Sequence, residues 1–231
     1  MINLGAYYAC FNNKKATDAV LLNFRKYFPD SPICLISDGG EDFSDIAKKY
    51  GTYYYYLNNL FASGPINRYD SYRTIEWWNR QKMVCDITRS DYIIILEDDV
   101  YFKNGFNTEK AFALKGVGKH RHNLFSKKII DDISLFGNIR NDHYGMCGGS
   151  IYNANIFNTI YENVIYDIKN NHDTLVKHHH KDYYQLGAVD ANITYHFNKR
   201  GYPYEEAEWL TEFGKFTYDR PVIHAWKKFY E

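Results

Sequence analysis

Residues 96–100 read Leu96-Glu97-Asp98-Asp99-Val100, three carboxylates directly after the apolar run Tyr92 to Leu96. On a strand, alternate side chains share a face, so Glu97 and Asp99 point together and Asp98 points away. Negative charges this concentrated repel one another unless a cation relieves them. Carboxylate oxygens are hard ligands that suit Mg²⁺ or Mn²⁺, ions that take one or two carboxylates and complete their shell with substrate phosphates. The same short pattern also fits a solvated acidic turn after a core strand.

The elements that must position this segment alternate along the first half. Leu4 to Phe11 reads as a buried strand. Thr17 to Phe28 reads as a helix with Val20, Leu21, Phe24 and Phe28 on one face, stopped by Pro29. Ile33 to Ser37 is a short strand ending in the turn signal Asp38-Gly39-Gly40. Ser44 is placed to cap a helix that runs through Tyr50 and ends at Gly51. Tyr53 to Leu57 is a third strand, Asn58 to Arg68 a loop, Arg73 to Thr88 a long helix and Tyr92 to Leu96 a fourth strand. Repeated β-α-β predicts a mainly parallel sheet covered by helices on both faces, with ligands outside the carboxyl ends of its strands. The second half is less regular: Ile133 to Asn138 and Gly148 to Tyr152 read as strands, Ile156 to Asn170 and Asp190 to Lys199 as helices. With no repeat and no linker, a single domain is expected, residues 1–102 binding a nucleotide and 103–231 shaping the second substrate site.

Composition narrows the functional classes. The 231 residues carry 28 Lys+Arg against 28 Asp+Glu, so the chain lacks the basic excess of a general nucleic-acid binder. No apolar stretch approaches the ~20 residues of a membrane helix, and Met1 to Phe11 lacks the layout of a signal peptide, so a cytoplasmic location is expected. Cys10, Cys34, Cys85 and Cys147 form no CxxC pair and read as buried free thiols. Aromatic content of 18%, with 23 Tyr, suits stacking on bases and sugars but equally reflects compositional drift in a chain also rich in Asn, Lys and Ile.

Three segments, in order, carry a family resemblance. The stretch Ile36 to Gly51 resembles the second strand and helix of family-2 glycosyltransferases, where the strand ends in Asp-Asp-Gly-Ser and an Ile-Ala-x-x-Tyr-Gly helix follows. Asp91 to Asp99 resembles their Asp-x-Asp strand, and more closely the Glu-Asp-Asp version of N-acetylglucosaminyltransferases and family-25 enzymes. Asp190 to Gly201-Tyr202 resembles the segment in which the catalytic Asp lies eleven residues before a Gly-Tyr. Departures are Ser37 and Val189, standing where the family has Asp and Glu, and the lack of a Gln-x-x-Arg-Trp motif, which argues against a processive polymerase.

The resemblance implies a GT-A fold, a nucleotide-sugar donor and a divalent ion, Mn²⁺ or Mg²⁺. It assigns Asp99 as direct metal ligand, with Glu97 as a further metal candidate and Glu97 and Asp98 on ribose hydroxyls or metal-bound waters. It makes His224 a second ligand, beside the alternative of a buried histidine next to Trp226, and puts the nearby Lys227 on the diphosphate. Asp190 is the implied base, kept ionised at a helix start, beside the alternative of a plain helix N-cap, with Asp182 in His178-His179-His180-Lys181-Asp182 as runner-up. Asp38 would accept from the base or ribose, Tyr7, Tyr8 and Ala9 would line the base with Tyr8 stacking, and Arg80 and Lys82 would either reach the diphosphate or form a solvated helix face. Gly148 and Gly149 would let the donor sugar approach the backbone, and Trp77, Trp78 and Trp209 are candidates for an acceptor platform, with core packing the better reading for at least one of them.

The expected activity is sugar transfer, by inversion, from a nucleotide-diphosphate sugar to a glycan or other hydroxyl. UDP is the expected nucleotide by family frequency. Two other classes compete. A nucleotidyltransferase shares the sheet and acidic motif but opens with a Gly-rich loop, where this chain has Cys10-Phe11-Asn12-Asn13-Lys14-Lys15. A non-catalytic carbohydrate-binding module would not need the acidic strand end.

Overall fold

The computed structural model describes residues 2–57, 71–108, 110–116, 146–177, 189–212 and 220–224, with the side chains of 171–177, 189–191 and 212 left aside. The elements run β1 (Leu4–Cys10), α1 (Lys14–Tyr27), β2 (Ile33–Asp38), α2 (Ser44–Tyr50), β3 (Tyr53–Leu57), α3 (Ser71–Thr88), β4 (Tyr92–Leu96), β5 (Val100–Phe102), β6 (Leu114–Gly116), β7 (Ile151–Asn153), α4 (Ala154–Lys177), α5 (Val189–Lys199), β8 (Tyr204–Glu206), β9 (Leu210–Glu212) and β10 (Val222–His224). The expected loop at 58–68 and strand at 133–138 lie outside the described residues.

Local chemistry sets the helix ends. The Asn13 side chain accepts from the Ala16 N–H at 3.0 Å, so α1 starts three residues before the apolar pattern does. At α2 the expected cap, Ser44, is itself capped: the Asp42 carboxylate accepts from its N–H and its hydroxyl, both at 2.9 Å. Gly51 ends α2 in the left-handed conformation, φ 61°.

Among the described residues, seven strands form one sheet in the order β3-β2-β1-β4-β7-β6-β8, parallel from β3 through β4, antiparallel at β7, with β8 parallel to β6. Strands β2 and β4 are buried almost end to end because helices cover both sides. Side-chain parity divides the core. Ala6, Tyr8 and Cys10 join Val20, Leu21 and Phe24 of α1 on one face, while Tyr7 joins Trp77, Trp78, Tyr152 and Phe157 on the other. The chain builds outward from β1 to β3, then returns to lay β4 on the opposite side of β1. The order reverses between β1 and β4, and the acidic segment leaves the carboxyl end of β4 at that reversal.

A second sheet, β5-β10-β9, collects three strands of three residues each. Its order pairs Val100, just past the acidic segment, with His224. Asn23 of α1 acts as a substitute strand for β5: its amide donates to the Phe102 carbonyl at 2.9 Å and accepts from the Phe102 N–H at 2.6 Å. Replacing Asn23 with Ala should strand both backbone groups and destabilise the chain by about 1–3 kcal/mol. Urea denaturation measures this, and an unchanged midpoint would show that solvent satisfies Phe102 equally well.

Candidate metal centre

Strands β4 and β5 belong to different sheets, and Glu97-Asp98-Asp99 is the turn that joins them, closed by a Val100 N–H to Glu97 carbonyl bond of 3.2 Å. The segment is thus a turn rather than an extension of the strand, yet the expected alternation holds. Glu97 Oε2 and Asp99 Oδ1 lie 3.2 and 3.3 Å from His224 Nε2. Asp98 points away and accepts from the Tyr8 hydroxyl at 2.7 Å. One donor atom from each of Glu97, Asp99 and His224 falls within 4.8 Å of the others. Two ligands held ~2.1 Å from a shared ion at right angles stand ~3 Å apart, close to the spacing seen here. The donor set therefore fits a divalent cation. Asp99 and His224 are each 6% exposed, whereas the Glu97 side chain is 44% exposed, so the cluster opens to solvent on the Glu97 side.

Packing fixes this convergence from beneath. A Cβ on Gly148 would stand 2.2 Å from Val100 Cγ2, 3.1 Å from Glu97 Cβ and 3.2 Å from His224 Cδ2. Gly149, at φ 90°, has Leu210 and Val222 against it and accepts from Trp209 Nε1 at 3.0 Å through its carbonyl. Both glycines were expected to admit a donor sugar. What they admit in the structure is β10 and the acidic turn.

Neither a protein-family model nor a curated protein matches the chain. Solved structures do. A galactosyltransferase, LgtC, crystallised with donor and acceptor sugar analogs, superposes with a TM-score of 0.57 at 14% identity, over 95% of this chain and 86% of that one. An active-site mutant of LgtC gives 0.58 at 14% identity with the same coverage. The apo bifunctional glycosyltransferase WbbM gives 0.57 at 10% identity, covering 96% of this chain and 45% of its own. The chain has the GT-A fold. At such identities the likeness concerns architecture, and the chemistry has to come from the residues in place.

Several residues expected around the donor take other partners. Tyr8, expected to stack on a base, is fully buried and offers no ring face. Burial, and then the Asp98 charge, push its phenol well above the ordinary range, so it stays a proton donor. Tyr7 sits on the opposite side of β1, is also buried, and is likewise pushed up by burial. Ala9 is half-buried against that second core. Asp38, expected on the base or ribose, is 0% exposed and accepts from Arg80 at 2.8 Å, with Arg80 2% exposed. Arg80 is thus engaged at the end of β2, with Glu76 3.7 Å from its Nε. Lys82 lies on the solvent side of α3 and pairs with Asp86 at 2.5 Å. Trp77, Trp78 and Trp209 are 4%, 0% and 3% exposed, core residues and not a platform.

Asp190 is the second residue of α5, in the first turn as expected. Asp182, the three histidines before it, Trp226 and Lys227 lie outside the described residues. Sequence reasoning missed the Tyr8–Asp98 and Arg80–Asp38 pairs, which join positions far apart in the chain. Only strand parity hinted at the first, since Tyr8 shares its face with Ala6 and Cys10 toward α1.

Breaking the buried Asp38–Arg80 pair from one side should be severe. Arg80→Leu is expected to cost about 3–5 kcal/mol by urea denaturation, because it leaves a carboxylate buried. A loss under ~1 kcal/mol would place Asp38 in contact with water.

Proposed function

We propose that the chain is a metal-dependent glycosyltransferase of the hexosyltransferase type (EC 2.4). It moves a sugar from a nucleotide-diphosphate sugar, a UDP-sugar by family frequency, to a hydroxyl of a glycan or similar acceptor. The observation that carries this reading is the convergence of Glu97, Asp99 and His224 at the strand-order reversal of a GT-A sheet. The binding of donor and acceptor sugar analogs by LgtC supports a two-sugar reaction.

Asp99 and His224 are the buried pair, His224 held by its strand pairing with Val100, and Glu97 stands at the open side where a diphosphate would arrive. An imidazole nitrogen beside two carboxylates favours Mn²⁺ over Mg²⁺, which prefers an all-oxygen shell. A divalent ion held there supplies Lewis-acid neutralisation of the diphosphate leaving group. Asp190, in the first turn of α5, is the residue proposed to take the proton of the acceptor hydroxyl. Attack from that side inverts the anomeric centre. The nucleotidyltransferase alternative loses further support at the β1–α1 loop, where Asn13 is spent on capping the helix. A non-catalytic carbohydrate-binding module has no leaving group for such an ion to neutralise.

A donor screen that follows release of free nucleoside diphosphate tests the reading. Turnover should appear with Mn²⁺, vanish in EDTA and return on adding metal, and full turnover in EDTA would remove the metal from the account. Asp190→Asn should retain donor affinity and lose about 10²–10⁴-fold in rate. NMR of the product linkage from an α-linked donor should show a β-linkage. Wild-type turnover in the Asp190 variant, or an α-linked product, would return Asp190 to a helix-start role.

A further inference from the structure

Given the metal reading of the triad, the geometry points to Tyr8 as a positioning residue: its hydroxyl holds Asp98 outward and thereby sets Glu97 and Asp99 onto His224. Strand pairing places Tyr8 opposite Leu96, the last residue of β4, so the phenol reaches past the strand end into the acidic turn. There it donates to Asp98 Oδ1 at 2.7 Å. The ring is fully buried in the core that α1 covers, with Thr17 of α1 beside the phenol. The donor is therefore anchored by packing and has little freedom to follow a moving acceptor.

The turn has three carboxylates in consecutive positions, and their alternation is what makes two converge. Rotating Asp98 inward would carry Glu97 and Asp99 away from His224 Nε2, which now lies 3.2 and 3.3 Å from them. Gly148 leaves the turn its room on the triad side, where an added Cβ would stand 2.2 Å from Val100 Cγ2 and 3.1 Å from Glu97 Cβ. Tyr8 supplies a hydrogen bond to the remaining carboxylate on the other. Such a bond to a charged acceptor contributes enough to change an equilibrium about tenfold. Tyr8 touches neither ion nor substrate in this scheme. It acts through Asp98, on the geometry of the metal ligands.

The test is the Mn²⁺ affinity of the full chain, read from the free-ion EPR signal. The set comprises wild type, Tyr8→Phe, Asp98→Ala, the double variant and Phe157→Leu, a core change on the other face of the sheet. Tyr8→Phe keeps the ring and removes one oxygen, and is expected to weaken Mn²⁺ about tenfold. In the Asp98→Ala background it should have no further effect, because the acceptor is gone. At saturating Mn²⁺ its turnover should recover toward wild type. Phe157→Leu should lower the melting temperature and leave Mn²⁺ affinity alone. Unchanged Mn²⁺ affinity in Tyr8→Phe, or an equal loss in Phe157→Leu, would overturn the positioning role while leaving the metal site intact. Absence of Mn²⁺ binding by the wild type would overturn the metal reading itself, and this inference with it.

Discussion

Mutual repulsion among three adjacent carboxylates governs the design of this molecule's centre. Like charges in neighbouring positions raise one another's free energy, and partial removal from water strengthens the effect. The chain answers by separating them. Asp98 goes to a buried phenol, while Glu97 and Asp99 go to an imidazole and, on the reading proposed here, to a divalent ion. Each answer needs a different part of the fold. The phenol requires β1 beside β4, and the imidazole requires a strand from the far end of the described chain.

That second requirement accounts for the small sheet. Strand β10 is three residues long and could not persist alone. It persists because β5 and β9 flank it, because Asn23 of α1 satisfies the outer edge of β5, and because two glycines leave room for it against the large sheet. Nothing here needs a large core. It needs close backbone approach, which is why side-chain volume at Gly148 and Gly149 matters more to the centre than the identity of any single core residue.

The legible part of the sequence was the part with long-enough signals. Strands β1 to β4 and their helices read directly, since each is a continuous apolar run or a helical stripe bounded by Pro29, Gly51 or Asp38-Gly39-Gly40. Strands β5, β9 and β10 were not legible, because three residues carry no period. The acidic segment announced itself by charge density, and His224 by resemblance. The partners of Asp38 and Tyr8 did not: an Asp or Tyr at a strand end reads the same whether it faces a cleft or a buried guanidinium, and only the assembled sheet decides. The base role proposed for Asp190 rests on its spacing to Gly201, and the structure makes that spacing a helix followed by a left-handed glycine at φ 83°.

The central claim is that Glu97, Asp99 and His224 form one cation site. Anomalous X-ray diffraction from a crystal of the chain grown with Mn²⁺ tests it without depending on substrate or turnover. The account predicts a single strong peak within ligand distance, ~2.1 Å, of both Asp99 Oδ1 and His224 Nε2. An empty position there, with His224 Nε2 still hydrogen-bonded to Glu97, would contradict it.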